Sequence, residues 1–313
     1  MTSPAQIPHP DAFAQLITLR DWQRYAVSRF NAAGLIYGHG TASASDEAAF
    51  LLLHTLHLPI DQLEPWLDCR LLSSERLAAH EVIEQRISTR KPAPYLTKQA
   101  WMQGHAFYVD ERVIVPRSYI GELLAGDLEG IAPNPESVRT ILDMCTGSGC
   151  LAILAALRFE RAKVDGSELS GEALAVAEIN VHAYGLEDRV RLVPSDLFAG
   201  LSGREYDLII ANPPYVDAEA VAAFPPEYAA EPRLAHAGGA DGLDLVRRIL
   251  AEAPQHLTPD GVLLVEVGRG RQVLEAEFPH LPFLWLDTEN STGEVFVLPC
   301  SDLEGAQGGG RGS

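Results

Sequence analysis

The chain has 313 residues, 47% of them apolar and 21% charged. That is the balance of a soluble globular protein, long enough for one large domain or two ordinary ones. A formal charge of -19 disfavours a nucleic acid partner, whose phosphates it repels, and suits a basic protein partner or plain solubility. No apolar run reaches the roughly eighteen residues of a membrane-spanning helix, and Met1 to Pro10 lacks a basic segment followed by an apolar one. A cytoplasmic location is therefore expected. The four cysteines are too few and too irregular for a disulfide framework. No metal site is expected either. Cys145 and Cys150 straddle a glycine-rich stretch, and His54 and His57 lack carboxylate or thiol company and read as packing residues.

The first ninety or so residues read as helices. Thr18 to Asp21 forms a capping-box start, with Asp in place of the usual Glu. Leu19, Trp22, Ala26 and Phe30 then share one face, and Gly34 stops the helix. Ser43 or Ser45 caps a second helix through Phe50 and Leu53, ended before Pro59. Ser74 is expected to cap a third, carrying Leu77, Ile83 and Ile87. Lys91-Pro92-Ala93-Pro94 breaks the pattern. Two extended stretches, Gln99 to Met102 and Ala106 to Val115 around Gly104, read as a hairpin. Pro116-Arg117-Ser118 opens a short helix through Leu124, and Ile131 to Ser137 is a proline-containing loop.

From Val138 onward strands alternate with helices. The predicted strands are Thr140 to Met144, Ala162 to Ser167, Val190 to Val193, Tyr206 to Ala211, Val262 to Val267, Phe283 to Leu286 and Glu294 to Leu298. Helices are predicted over Cys150 to Leu157, Gly171 to His182 and Leu243 to Ala253. This alternation specifies an α/β fold, a mostly parallel seven-stranded sheet covered on both faces. The expected domains are a helical one at 1–95, a hairpin linker at 96–117, an α/β domain at 118–300 and a glycine-rich, disordered tail at 301–313.

Ile141 to Ala152 is a strand, a glycine turn and a helix start. Such a turn admits a ligand close to the backbone, and the helix presents unpaired N–H groups. Gly147-x-Gly149-x-x-Ala152 alone also fits a dinucleotide fingerprint. Asp143, just before the loop, tilts the reading toward S-adenosylmethionine. A carboxylate there can order the ligand's ammonium end, whereas a pyrophosphate is repelled by it. Glu168, closing the next strand, can accept both ribose hydroxyls, with Asp165 as the fallback. Asp196 suits the adenine amine, with Leu197 or Phe198 against the ring; the alternative is that Asp196 caps a turn. The expected cofactor set is Asp143, Thr146, Gly147, Gly149, Glu168, Asp196, Leu197 and Asn212.

Asn212-Pro213-Pro214-Tyr215 follows the apolar strand directly. Ligands of open parallel sheets bind at the carboxyl ends of strands, so this loop lies beside the cofactor. Two consecutive prolines stiffen it and leave carbonyls without local donors. The Asn212 side-chain oxygen and the Pro213 carbonyl can hold a planar NH2 group, and the Tyr215 ring can stack on its plane. Hydrogen bonds from that NH2 push electron density back onto its nitrogen and aim it at a methyl donor. Asn212, Pro213 and Tyr215 are the expected catalytic residues, and Pro214 joins them at the acceptor.

These motifs resemble those of the class I amino-methyltransferases. The whole chain to about Pro299 resembles the PrmB-type ribosomal protein glutamine N5-methyltransferases. The resemblance rests on Tyr108 to Ser118, Cys145 to Cys150, Ser195 to Phe198, Glu231-Pro232, Asp241 to Leu245 and Glu266 to Gly268. It implies a class I methyltransferase fold and transfer of a methyl group to a glutamine amide of large-subunit ribosomal protein L-three. It also implies that Asn212 and Pro213 bind the amide, that Arg117 and Ser118 line the cleft, and that the helical domain helps recognise the protein. Glu168 stands where Asp is commoner, and Leu234 to Gly238 and Ser291 to Glu294 depart from the usual loops.

The nearest rival is a glutamine methyltransferase acting on peptide release factors. A DNA adenine methyltransferase normally carries a basic recognition domain, and no lysine- or arginine-rich block is present. A nicotinamide-dependent oxidoreductase leaves Asn212 to Tyr215 unexplained. A degenerate methyltransferase kept as an assembly factor has no need of intact Gly147, Gly149, Glu168 and Asn212.

Overall fold

The computed structural model describes residues 14–126, 128, 131–132 and 135–303. The expected tail beyond 303 and part of the loop at 131–137 lie outside the described residues. The chain divides into two compact units, one comprising residues up to Ala100 with Pro225–Ala230, the other Trp101–Phe224 with Glu231 onward.

The first unit is helical: α1 (Leu19–Ala32), α2 (Ala44–Thr55), α3 (Ser73–Thr89) and the short α4 (Ala93–Thr97). Thr18 caps α1 as the pattern predicts, its hydroxyl accepting from the Asp21 N–H while the Asp21 carboxylate accepts from the Thr18 N–H at 2.9 Å. Ser43 caps α2. The third cap differs from expectation. The helix starts at Ser73, and Glu75 reaches back to accept the Leu72 N–H at 2.7 Å, which leaves Ser74 inside the first turn. Pro92 to Pro94 starts a helix where a break was expected, because a first turn needs no proline N–H. Leu19, Trp22, Phe30, Leu51, Leu52 and Ile83 form the core. Inside this unit Arg86 and Glu47 pair at 2.6 Å without solvent exposure, and burial pushes the Glu47 carboxyl upward against the pull of Arg86.

Strands β1 (Gln99–Met102) and β2 (His105–Tyr108) form the hairpin, turning at Gln103 and Gly104 with positive φ. The second strand stops at Tyr108, well short of the expected Val115. Asp110 turns the chain by accepting the Arg112 N–H, and the Val115 N–H donates to the Glu231 side chain.

The second unit is built on seven strands: β3 (Thr140–Met144), β4 (Lys163–Glu168), β5 (Val190–Pro194), β6 (Tyr206–Ala211), β7 (Leu257–Glu266), β8 (Leu284–Asp287) and β9 (Thr292–Pro299). Their order is β5-β4-β3-β6-β7-β9-β8, and only β9 runs against the others. The helices are α5 (Tyr119–Ala125), α6 (Cys150–Arg158), α7 (Gly171–Ala183), α8 (Ala218–Ala222), α9 (Asp244–Glu252) and α10 (Arg271–Glu277).

Alternate residues of the central strands feed two separate cores, as the two-residue period of a strand requires. Ile141, Leu208, Ile210 and Leu264 pack with α6 on one face. Leu142, Ile209, Ala211, Leu263 and Val265 pack with α9 on the other. Both faces are therefore apolar, which explains why these strands read as unbroken apolar runs. The chain leaves β3 toward β4 and β5, then crosses back to β6 on the other side. That reversal opens a crevice at the carboxyl ends of β3, β4 and β6. Among the described residues no helix is long and apolar enough to cross a membrane.

Candidate active site

The loop after β3 is bound to its own structural support. Asp143 is completely buried. Its Oδ2 accepts from the Ala152 N–H at 2.9 Å and from the Thr146 hydroxyl, joining the end of β3 to the first turn of α6. Burial pushes its carboxyl up to about 7, against the pull of those two donors. Asp143 is thus part of the loop's own hydrogen bonding and does not line the cavity, contrary to the expected ligand contact. Thr146 is likewise turned inward, its N–H donating to the Ser167 carbonyl at 3.0 Å. Gly149 serves packing: a Cβ on it meets the Ala177 Cβ at 3.1 Å, so a side chain there would push α7 away.

Above this support lies a cavity of about 410 Å³, within the size range of small-ligand sites. Gly147, Ser167 and Glu168 line it at the ends of β3 and β4. The Glu168 Oε2 accepts the Gly147 N–H at 3.1 Å and its Oε1 the Ser170 N–H at 3.0 Å. Two backbone donors therefore hold the carboxylate at the wall and leave it further lone pairs. The Ser167 hydroxyl is buried in the same wall without a protein partner among the described residues. Asp165, the fallback, is committed elsewhere, accepting from Arg191, Arg204 and Tyr206.

After β5, the Ser195 hydroxyl donates to the Leu197 carbonyl and accepts the Gly200 N–H, winding a turn in which Leu197 has φ +49°. Asp196 and Leu197 line the cavity. Arg248 of α9 lines it too, its Nη1 lying 3.0 Å from the Asp196 Oδ1. Sequence reading passed over Arg248, because on a helix it is indistinguishable from any other polar-face arginine.

Asn212 and Pro214 also line the cavity. The Asn212 Nδ2 donates to the Arg117 carbonyl at 3.4 Å. Pro213 is buried and does not line the cavity. Nor does Tyr215, expected to stack on the acceptor. Its ring lies where a Cβ on Gly268 would stand, 2.8 Å from it, and its hydroxyl donates to the Glu266 Oε1 at 3.0 Å. Burial, and then the Glu266 charge, raise the Tyr215 hydroxyl pKa well above its ordinary value. The returning chain packs so closely that a Cβ on Gly238 would lie 2.7 Å from the Pro214 carbonyl oxygen, and one on Gly242 2.3 Å from that of Tyr215. Only glycine fits at either place.

Two buried carboxylates brace this loop. Glu266, at the end of β7, accepts from the Ser118 hydroxyl at 2.6 Å, the Tyr119 N–H at 2.9 Å and Tyr215. Burial raises its carboxyl, and the Ser118 and Tyr215 hydroxyls partly offset that rise. Glu231 takes the Arg117 guanidinium with both oxygens, at 2.7 and 2.8 Å. Arg117 and Ser118 are therefore engaged with Glu231 and Glu266 and are not among the residues lining the cavity, where the resemblance had put them.

A seven-stranded sheet with one reversed strand, a glycine loop after its first strand and an acidic residue after its second define a class I methyltransferase fold. The family model described as "Methyltransferase small domain" matches residues 123–224. The ribosomal protein uL3 glutamine methyltransferase of Bradyrhizobium diazoefficiens is 55% identical over 296 residues, covering 93% of both chains. That of Burkholderia pseudomallei is 54% identical over 298 residues, 93% of this chain and 97% of its own. Among solved structures, a methyltransferase from Pyrococcus furiosus is 19% identical with a TM-score of 0.45, covering 62% of this chain and 88% of the other. At 55% identity across nearly the whole length, the chain belongs to the family of ribosomal protein uL3 glutamine methyltransferases.

Proposed function

We propose that this protein transfers a methyl group from S-adenosylmethionine to a glutamine side-chain amide of ribosomal protein uL3. The observation that carries the reading is the orientation of Asn212. One of its two Nδ2 hydrogens is directed at the Arg117 carbonyl, which turns the Oδ1 to the other side, where it can accept from a substrate N–H at the cavity wall.

The wall suits the cofactor. Glu168 offers lone pairs for the two ribose hydroxyls, and Asp196 an acceptor for the adenine amine. The buried Ser167 hydroxyl, without a protein partner among the described residues, supplies a further polar contact. Bound S-adenosylmethionine contributes a methyl group on a positively charged sulfur, open to attack by a nucleophile. Asn212 at the cavity wall holds one N–H bond of the glutamine amide, and the Pro213 carbonyl, outside the cavity lining as the structure stands, is the acceptor the sequence reading gives for the other. Those hydrogen bonds counter the delocalisation that makes an amide nitrogen a poor nucleophile, and they fix its direction of attack. An N-alkylated amide cation sheds its proton readily, so no base of raised pKa is required. Asp143 and Thr146 keep the glycine loop in shape, while Tyr215 and Ser118 keep the acceptor loop in shape. The helical unit contributes recognition of the protein substrate, and the charge of -19 favours a basic one. Such a substrate implies action in the cytoplasm.

Incubation with labelled S-adenosylmethionine and, separately, purified uL3, a peptide release factor and duplex DNA tests the reading. Label on uL3, mapped by mass spectrometry to one glutamine, is the expected result. Label confined to release factor keeps the chemistry and replaces the substrate, and label on DNA overturns the amide acceptor.

A further inference from the structure

We infer that Glu231 is a positioning residue for Asn212, acting through Arg117. The inference rests on the reading of Asn212 as the residue that accepts from the substrate amide. Glu231 lies beyond the loop on the returning chain, and its side chain has no solvent exposure. A carboxylate taken out of water must be surrounded by donors. Glu231 accepts from the Val115 N–H at 3.0 Å and from both Arg117 Nη atoms, and the His236 Nε2 lies 2.9 Å from one of its oxygens.

The geometry of these partners gives the carboxylate a task beyond its own satisfaction. The Val115 N–H and the Arg117 guanidinium flank Pro116, so one carboxylate grips three consecutive residues at both ends. A bidentate arginine fork fixes direction as well as distance. The carbonyl of that same Arg117 accepts from the Asn212 Nδ2. A side-chain amide carries its donor nitrogen and its acceptor oxygen within one plane, on the two branches of its carbon. Holding the nitrogen against Arg117 therefore turns the Oδ1 to the other side. An Asn212 free to rotate presents its NH2 to the substrate NH2 for part of the time, donor against donor. The same returning chain is tied to the loop a second time, the Val216 N–H donating to the His236 carbonyl at 3.0 Å. The orientation of the acceptor-binding amide is thus decided by a residue remote in sequence that does not line the cavity.

The variants Glu231→Gln and Arg117→Lys, with their double, test this. Arg117→Lys keeps the charge and loses the fork, and its site is one-third exposed, so it folds even where Glu231→Gln does not. Each single change lowers kcat on uL3 about tenfold and leaves the S-adenosylmethionine Kd within about twofold. The double variant falls no further than the more affected single, since both act on one contact. Unchanged kcat in the singles, or a double effect equal to the product of the two, overturns the inference. Crystal structures of both single variants with S-adenosylhomocysteine give a readout independent of any substrate. Loss of the contact between Asn212 and the Arg117 carbonyl supports the role, and its retention overturns it. A wild-type enzyme that binds the cofactor and leaves uL3 unlabelled defeats the substrate assignment, and the crystal structures still decide the role of Glu231.

Discussion

On one side, behind the acceptor loop and outside the cavity lining, Glu231 and Glu266 are 3% and 1% exposed and receive donors from several segments of chain. On the other, Glu168 is only partly buried and held by two backbone N–H groups, and the Asp196 side chain is half exposed, with Arg248 at one oxygen. The first pair of carboxylates is consumed by the protein, and the second keeps lone pairs for something else. The difference teaches how to tell a supporting acid from a ligand-binding one. A loop that must be rigid before anything binds is braced by buried acids whose bonds are already made. A wall that must grip a polar ligand leaves its acids accessible and incompletely engaged. Asp143 shares the burial and bracing role of the first kind although it sits beside the second: its Oδ2 ties the glycine loop to Thr146 and Ala152, while its Oδ1 has no hydrogen-bond partner among the described residues.

Removing Asn212 should produce the largest effect. Asn212→Ala lowers kcat by about a hundredfold to a thousandfold, the cost of losing one aligned polar contact at a reacting group. Cofactor affinity by calorimetry stays close to wild type, because the proposed cofactor contacts are those of Glu168, Ser167 and Asp196. A loss divided equally between affinity and turnover would break the division between acceptor and cofactor residues.

Next in size is Glu168→Ala. Two charge-assisted hydrogen bonds to ribose are worth about 1.5–3 kcal/mol each in a well-formed site, so the Kd for S-adenosylmethionine should rise tenfold or more. At saturating cofactor, kcat stays within a few-fold. Unchanged Kd refutes the ribose role.

Asp143→Asn should alter turnover least and sharpen the comparison through stability. Burial holds the Asp143 carboxyl at about 7, above its ordinary 3.8. A carboxyl raised by folding stabilises the native state fully below its unfolded value, and that contribution is lost as pH climbs through its folded one. Wild-type Tm therefore carries a downward trend between about pH 4 and pH 7 from this residue. Asparagine can keep both acceptor contacts with its oxygen and cannot ionise. A calorimetric series across that window should show a flatter trend in the variant, and an unaltered slope would remove Asp143 from the class of buried supporting acids.

Legibility in the sequence followed burial. β3 and β6 were predicted to the residue because apolar runs between turn signals mark strands covered on both faces. α10 was missed, since Arg271–Glu277 is short and buries only Leu274. The succession of 3₁₀ turns between Pro226 and Ala235 carries no period to detect. Within the site, Gly147, Glu168, Asp196, Leu197, Asn212 and Pro214 reach the cavity wall from strand ends, where the α/β pattern already puts ligands. Arg117, Ser118, Asp143 and Tyr215 do not. The side chains of Arg117, Ser118 and Tyr215 are claimed by Glu231 and Glu266, which lie far away along the chain, and that of Asp143 by Thr146 and Ala152 of its own loop and helix.

Residue order alone thus decided the fold class, the position of the glycine loop and the place of Asn212 after its strand. These follow from local periodicity and from the steric habits of glycine and proline, which act over a few residues. Only the tertiary structure decided which acids brace and which remain accessible, and which way the Asn212 amide faces. Both depend on donors brought together across the sheet, and a side chain's freedom is set by the neighbours that folding supplies.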